Sequence, residues 1–249
     1  MTTTARDYTV ELDRIPGAGQ DEETFVVRQA DGSDERIRLH DYDRVYAIPG
    51  LYEEVVQQQL ECASPATIVA KLAEAIAADG RHAGDIRVLD VGAGNGVIGE
   101  GLRDAGFRVP VASDALVEAR DAAERDRPGL YAEYVIDDGT VEAFGKIAGA
   151  IRRHELNALT CAAALGPGHI PLERLVGIWG LMPAGSYLAL TASSALVAEW
   201  GGAQNALNAV SGDDAPTEVL VAEPFRHRLL MRGGSVDYDV IVGRKPLEG

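Results

Sequence analysis

Short apolar runs alternate with helix-patterned segments over most of this chain, and that alternation limits the fold more than any other feature. IRVLDV, ending at Val91, leads through a glycine-rich turn into a helix. RVPVAS then precedes ALVEARDAAERD, AEYVI precedes VEAFGKIAGAIRRH, NALTCAA precedes PLERLVGIWGLM, and SYLALT precedes a helical stretch reaching about Ala209. Apolar runs of this length bounded by turn residues read as strands buried on both faces, and their repetition with helices requires right-handed crossovers in a doubly wound parallel sheet. Upstream, SPATIVAKLAEAIAADG patterns as an amphipathic helix capped at Ser64, with Ile68, Val69, Leu72 and Ile76 on one side and Gly80 near its end. The last two runs break the pattern. TEVLVAEPFRHRLLM and SVDYDVIVG are joined only by Arg232-Gly233-Gly234, which predicts an antiparallel hairpin. Residues 1–40 are polar, and TFVVRQ and RIRLH flank Ala30-Asp31-Gly32-Ser33 as a hairpin expected to form an appendage.

Composition narrows the function classes. A chain of 249 residues with 46% hydrophobic and 25% charged residues suits one globular domain with an N-terminal extension. The start, MTTTARDYTVELDR, lacks the basic and apolar segments of a secretory signal, and no apolar run approaches the roughly 18 residues that span a bilayer, so a cytoplasmic protein without a membrane partner is expected. Cys62 and Cys161 are too few for a disulfide framework and read as reduced core thiols. The net charge of −16 disfavours a nucleic acid partner, because the basic clusters Arg36 with Arg38 and Arg226 with Arg228 are short and diluted by acids. No Cys/His/carboxylate spacing suggests a metal.

VLDVGAGNGVIGEG holds two overlapping glycine frames. Gly94, Gly96 and Gly99 form the GxGxxG of dinucleotide sites, whereas Gly92, Gly94 and Gly96 form GxGxG. A dinucleotide frame should follow its strand directly, yet VLDV has ended before Gly92-Ala93. The second frame puts Asp90 at the strand end, Gly92 at the turn, Gly94 where backbone approaches a ligand, and Gly96 at the start of the helix.

VLDVGAGNG resembles the first motif of class I S-adenosylmethionine-dependent methyltransferases, an acidic residue followed by x-G-x-G-x-G. The resemblance extends over about residues 40 to 245: SDALVEARDAA is similar to their second motif, LMPAGSYLAL to the turn before their fifth strand, and the terminal hairpin to the antiparallel strands of their sheet. GLYAEYVIDDGT and NALTCAAALGPGHIP look more particularly like a bacterial and animal subgroup of small methyltransferase-like proteins similar to the one named for the Williams-Beuren region. The resemblance implies a Rossmann-like, doubly wound seven-stranded sheet with a C-terminal antiparallel hairpin. It places an N-terminal extension and lid-like segment at 1–63 and the methyltransferase domain at 64–249. The implied cofactor is S-adenosylmethionine, with S-adenosylhomocysteine as product. Gly92, Ala93 and Gly94 would receive its methionine part, oriented by Asp90, and Asn95 and Gly96 would complete the cofactor-binding turn. Asp114 would accept from the ribose hydroxyls, and Asp138, or else Asp137, from the adenine amino group. Ala162 and Ala163 would leave room for the flat ring. Tyr46, with Tyr42 and Tyr52, is similar to lid segments that pack on the sulfonium or wall off the acceptor.

Three departures matter. Leu156-Asn157 replaces an aromatic followed by aspartate, and Pro183-Ala184-Gly185 replaces Pro-Gly-Gly. The Asn/Asp-Pro-Pro-aromatic and Pro-Cys motifs of DNA base methylation are missing. The leading expectation is methyl transfer to oxygen, nitrogen or sulfur of a small molecule, with His169 in GPGHIP as candidate base and His227 facing either the site or solvent. The alternatives are a non-catalytic sensor or interaction protein that binds the same cofactor, and a nucleotide-dependent oxidoreductase using GNGVIG. The acceptor and the oligomeric state are left open by the sequence.

Overall fold

In a computed structural model, residues 7–165, 169–212 and 217–247 are described. The glycines and proline of GPGHIP before His169 lie outside them. The N-terminal stretch forms a three-stranded antiparallel sheet of β1 (Tyr8–Leu12), β2 (Thr24–Gln29) and β3 (Asp34–Arg38) in that order. The expected hairpin is β2–β3, with Phe25 opposite Ile37; β1, pairing Val10 with Val27, was not anticipated. Helix α1 (Tyr42–Ala47) and a wide π-type segment, Glu53–Gln59, follow. These elements bury their own cluster of Phe25, Val27, Ile37, Val45, Leu51 and Val55, which closes against Met231 of the C-terminal hairpin. The extension is therefore a packed layer on the main domain.

Helix α2 (Ser64–Ala78) leads to the seven-stranded sheet. Its strands are β4 (Arg87–Val91), β5 (Arg108–Asp114), β6 (Glu133–Ile136), β7 (Ala158–Ala162), β8 (Tyr187–Ser193), β9 (Glu218–Leu229) and β10 (Ser235–Arg244), in the order β6-β5-β4-β7-β8-β10-β9. The five from β4 to β8 run parallel, and β10 lies antiparallel between β8 and β9. Between strands come α3 (Val97–Asp104), α4 (Val117–Asp126), α5 (Val141–Arg153), α6 (Leu172–Gly180) and the short α7 (Ser194–Glu199) and α8 (Ala203–Ser211). Alternate residues of the strands feed opposite cores: Leu89 and Val91 join Ile147, Leu175 and Trp179 on one face, while Val88 joins Ile68, Leu72 and Leu102 on the other. Ser64 does not cap α2. It lies in the first turn after Ala63, and its hydroxyl is taken by His227. Among the described residues no helix is long and apolar enough to cross a membrane, and no group of three potential metal ligands occurs.

Candidate functional site

The chain passes from β4 to β5 and β6 on one side and then to β7 on the other, so the crevice at the carboxyl ends of β4, β5 and β7 is the topological switch point where open α/β sheets hold ligands. A cavity of about 860 Å3 opens there, near the top of the range of about 300–1,000 Å3 usual for ligand sites. The glycine turn forms its floor. Gly92, Gly94 and Gly96 have φ of 69°, 54° and 89°, backbone that L side chains rarely adopt. At Gly92 an added Cβ would lie 2.7 Å from Cβ of Ala164, and at Gly94 it would overlap the Tyr46 hydroxyl. The N–H groups of Gly92 and Ala93 donate to the Ser113 carbonyl at 2.8 and 3.1 Å, that of Gly94 to Asp114 Oδ2 at 2.9 Å, and that of Gly96 to the Ala93 carbonyl at 2.9 Å. The turn thus offers a ligand space and shape, with the N–H groups of Gly92, Ala93, Gly94 and Gly96 engaged within the fold. Gly99, third in the dinucleotide frame, is glycine because the Tyr131 ring fills the place of its side chain.

Asp90 departs from its expected role. The pleat turns it to the same sheet face as its parallel neighbour Thr160, beneath the glycine turn and off the cavity wall. Its Oδ1 accepts from Thr160 Oγ1 at 2.8 Å and its Oδ2 from the Tyr131 hydroxyl at 2.8 Å. Burial outweighs these bonds and raises its pKa from 3.8 to about 6. The folded protein therefore holds a proton that the unfolded chain releases. This contribution to stability is complete below pH 3.8 and is lost as pH rises through about 6. Relative to the unaltered protein, Asp90→Asn should gain about 3 kcal/mol of unfolding free energy between about pH 4 and about pH 7. Urea denaturation reads this, and a pH-independent difference refutes it.

The other carboxylates do face the cavity. Asp114, ending β5, accepts from the N–H groups of Gly94 and Leu116 at 2.9 and 3.0 Å. Burial raises its pKa against these donors, and a carboxylate has about four acceptor sites, so two stay available. Asp137 is bound bidentately by the Arg174 guanidinium. Asp138 folds into a turn in which Oδ1 accepts from the N–H and hydroxyl of Thr140 at 3.1 and 2.6 Å; this lowers its pKa and engages only one oxygen. At the end of β7, Ala162 and Ala163 line the cavity. Ala163 has φ of 52°, held by its N–H donating to Thr191 Oγ1 at 2.9 Å.

The N-terminal layer closes the cavity from the opposite side. Helix α1 packs on α4, where Ala119 and Ala122 are small enough to admit Tyr46, and Arg125 donates to the Tyr46 carbonyl at 3.1 Å. Tyr46 stacks with Tyr42 at 5.9 Å between ring centroids and tilts against Tyr52 at 5.3 Å. Burial keeps all three phenols protonated, raising Tyr42 to about 12. Asn95 lines the cavity and donates to Glu53 Oε1 at 2.7 Å; Arg127 binds Glu53, Glu100 and the Asn95 carbonyl, tying the π-type segment to the glycine turn.

Three histidines border the cavity beyond this aromatic layer. His169 lies edge-on to His40 at 5.9 Å and near Tyr42 at 6.1 Å; burial lowers its pKa. His40, which sequence reasoning missed, is lowered by burial and by His169. His227 faces the cavity and is buried, not solvent-facing. Cys62, expected as a core thiol, instead stands half-buried in a loop on the cavity wall, whereas Cys161 is buried in β7.

Comparison with solved structures places this architecture. The chain is similar to the N-methyltransferase NodS of Bradyrhizobium japonicum in complex with S-adenosylhomocysteine (TM-score 0.55, 12% identity, 84% of this chain and 98% of that one). It is also similar to a SAM-dependent methyltransferase from Anabaena variabilis (0.50, 14%, 84% and 96%), and to a protein of Pyrococcus horikoshii provisionally assigned as an RNA methyltransferase (0.50, 14%, 73% and 83%). No protein-family model matches the chain, and no curated protein matches it. At these identities the likeness is one of fold. The chain has the class I methyltransferase fold.

Proposed function

We propose that this protein is an S-adenosylmethionine-dependent methyltransferase acting on a small molecule. The observation that carries the reading is the pairing of the glycine turn with Asp114: a floor that excludes side chains, beside a partly buried carboxylate with acceptor sites to spare. S-Adenosylmethionine, when bound, supplies a methyl group already electrophilic on a sulfonium. Gly92, Ala93 and Gly94 would receive its methionine part, Asp114 its ribose hydroxyls, and the unbonded oxygen of Asp138 its adenine amino group. Ala162 and Ala163 leave space for the ring. Asp137 is engaged by Arg174 and serves to fix the loop. Residues 1–63 act as the lid on a domain spanning 64–249, with Tyr46 and Tyr42 excluding water so that an acceptor is held in line. The net negative charge and the aromatic lining of the cavity support a small acceptor over a nucleic acid.

Calorimetric titration tests the reading. S-Adenosylmethionine and S-adenosylhomocysteine should bind with one-to-one stoichiometry and NADH should give no heat; binding of NADH alone, or of none of the three, refutes it.

A further inference from the structure

The acceptor end of the cavity is built around a β-bulge. In the β9–β10 ladder Arg226 pairs with Asp237 and Arg228 with Val236, so His227 is the extra residue between them. Bulges re-aim side chains and recur beside active sites. Here the effect is that the adjacent residues His227 and Arg228 are both buried against the cavity, which strict alternation would forbid. The bulge is clamped from the N-terminal side. The Ala63 N–H donates to the His227 carbonyl at 2.8 Å, the Leu229 N–H donates to the Leu60 carbonyl at 2.8 Å, and the Ser64 hydroxyl pairs with His227 Nδ1 at 2.7 Å. Tyr238 stacks on the imidazole at 4.0 Å with an interplanar angle of 23°. Both the position and the plane of the ring are fixed. With Nδ1 occupied, Nε2 is the nitrogen left for a ligand.

We propose that His227 is the catalytic residue that receives the acceptor's proton, and that the acceptor is an uncharged, flat hydroxyl compound of the phenol or enol type. This rests on the methyltransferase reading. Flatness follows from the walls, where Tyr42, Tyr238 and the imidazoles of His40 and His169 present rings. Lack of charge follows from the carboxylates. Glu23, the acid buried at this end, is committed to Arg228 at 2.7 Å. The cavity's other acids are Asp114, Asp137 and Asp138 at the cofactor end and the exposed Asp43 and Glu173 at its rim. An ammonium group beside His227 would therefore lack a counterion and face a guanidinium.

The chemistry agrees. Burial, with Arg228 adding to it, lowers the His227 pKa to about 3, so the ring is neutral and weakly basic. Such a base cannot deprotonate an alkylammonium before attack. It can take a hydroxyl proton whose acidity climbs as the oxygen is alkylated. The acceptor oxygen forms its bond to the methyl carbon as the carbon–sulfur bond breaks, the bonding pair stays on sulfur, and the hydroxyl proton passes to Nε2. Ser64 is the positioning residue that holds Nδ1.

The test uses the full-length protein loaded with S-adenosylhomocysteine and two probes on one ring system, 2-naphthol and the cationic 2-naphthylmethylamine. Calorimetry should show the naphthol bound at least about tenfold more tightly than the amine. His227→Asn, which keeps an amide atom near Ser64 but nothing at the Nε2 position, should weaken naphthol binding about tenfold while leaving S-adenosylhomocysteine affinity unchanged. His227→Gln, which restores a polar atom near that position, should recover part of it. With S-adenosylmethionine, mass spectrometry should show the naphthol methyl ether, and His227→Asn should lower its rate of formation about 10²–10⁴-fold. Equal or tighter binding of the amine, naphthol bound but not methylated, or an indifferent His227→Asn overturns the assignment and leaves the methyltransferase reading standing. No binding of S-adenosylhomocysteine overturns both.

Discussion

Asp114→Ala should abolish measurable cofactor binding while the protein stays folded. The carboxylate ends β5 beside the glycine turn, and each of its oxygens accepts one backbone N–H, leaving room for two ribose hydroxyls. Hydrogen bonds to a charged group contribute about 1.5–3 kcal/mol each, so losing two raises Kd on the order of 10²- to 10⁴-fold. The variant also releases the N–H of Gly94 and so loosens the turn that forms the cavity floor. Asp114→Asn keeps the shape and one acceptor oxygen, and its loss should be intermediate. Titration with S-adenosylhomocysteine, with thermal unfolding as a control for folding, reads both. A Kd for Asp114→Ala within about threefold of the unaltered protein, less than half the energy of one such bond, would remove Asp114 from the site.

The second large effect lies where the N-terminal layer meets the terminal hairpin. Glu23 and Arg228 are 2% and 5% exposed and pair at 2.7 Å, and Glu23 also accepts the Met231 N–H at 2.7 Å. Removing one member of a buried pair strands the other charge, so Glu23→Ala should destabilise by about 3–5 kcal/mol. Replacing both, with Glu23→Leu and Arg228→Met, removes the uncompensated charge and should recover most of that loss. Urea denaturation of the two variants distinguishes a stranded charge from simple loss of packing. If the double variant is as unstable as Glu23→Ala, the charge is not the cause.

The parallel sheet was legible because strands buried on both faces leave uninterrupted apolar runs, and the hairpin because Arg232-Gly233-Gly234 leaves no room for a helix. The preference for the GxGxG frame rested on where VLDV stops, and the positive φ at Gly92, Gly94 and Gly96 accords with it. The orientation of Asp90 was not. Sequence places an acid at the strand end but does not say which face the pleat gives it, and its partners Tyr131 and Thr160 are 41 and 70 residues away. His227 was ambiguous for a related reason. Alternation along PFRHRLL assigns neighbouring residues to opposite faces, and a bulge is set by the opposing strand, whose register no local pattern reveals. Strand β1 was lost in a polar stretch, since five residues carry little signal, even with Tyr8, Val10 and Leu12 in alternation, until β2 is beside them.

The clamp on His227 also bears on the order in which this protein can be made. Ser64 and His227 are separated by 163 residues, and Glu23 and Met231 by 208. Contacts this distant form late, because closing so long a loop costs chain entropy before any contact repays it. During synthesis the cofactor floor, complete once β8 has emerged to hold Ala163 through Thr191, can form before the acceptor wall, which needs the final hairpin. A ribosome-bound chain would thus carry one half of its site exposed, with the apolar side of the N-terminal layer uncovered until the last strands arrive.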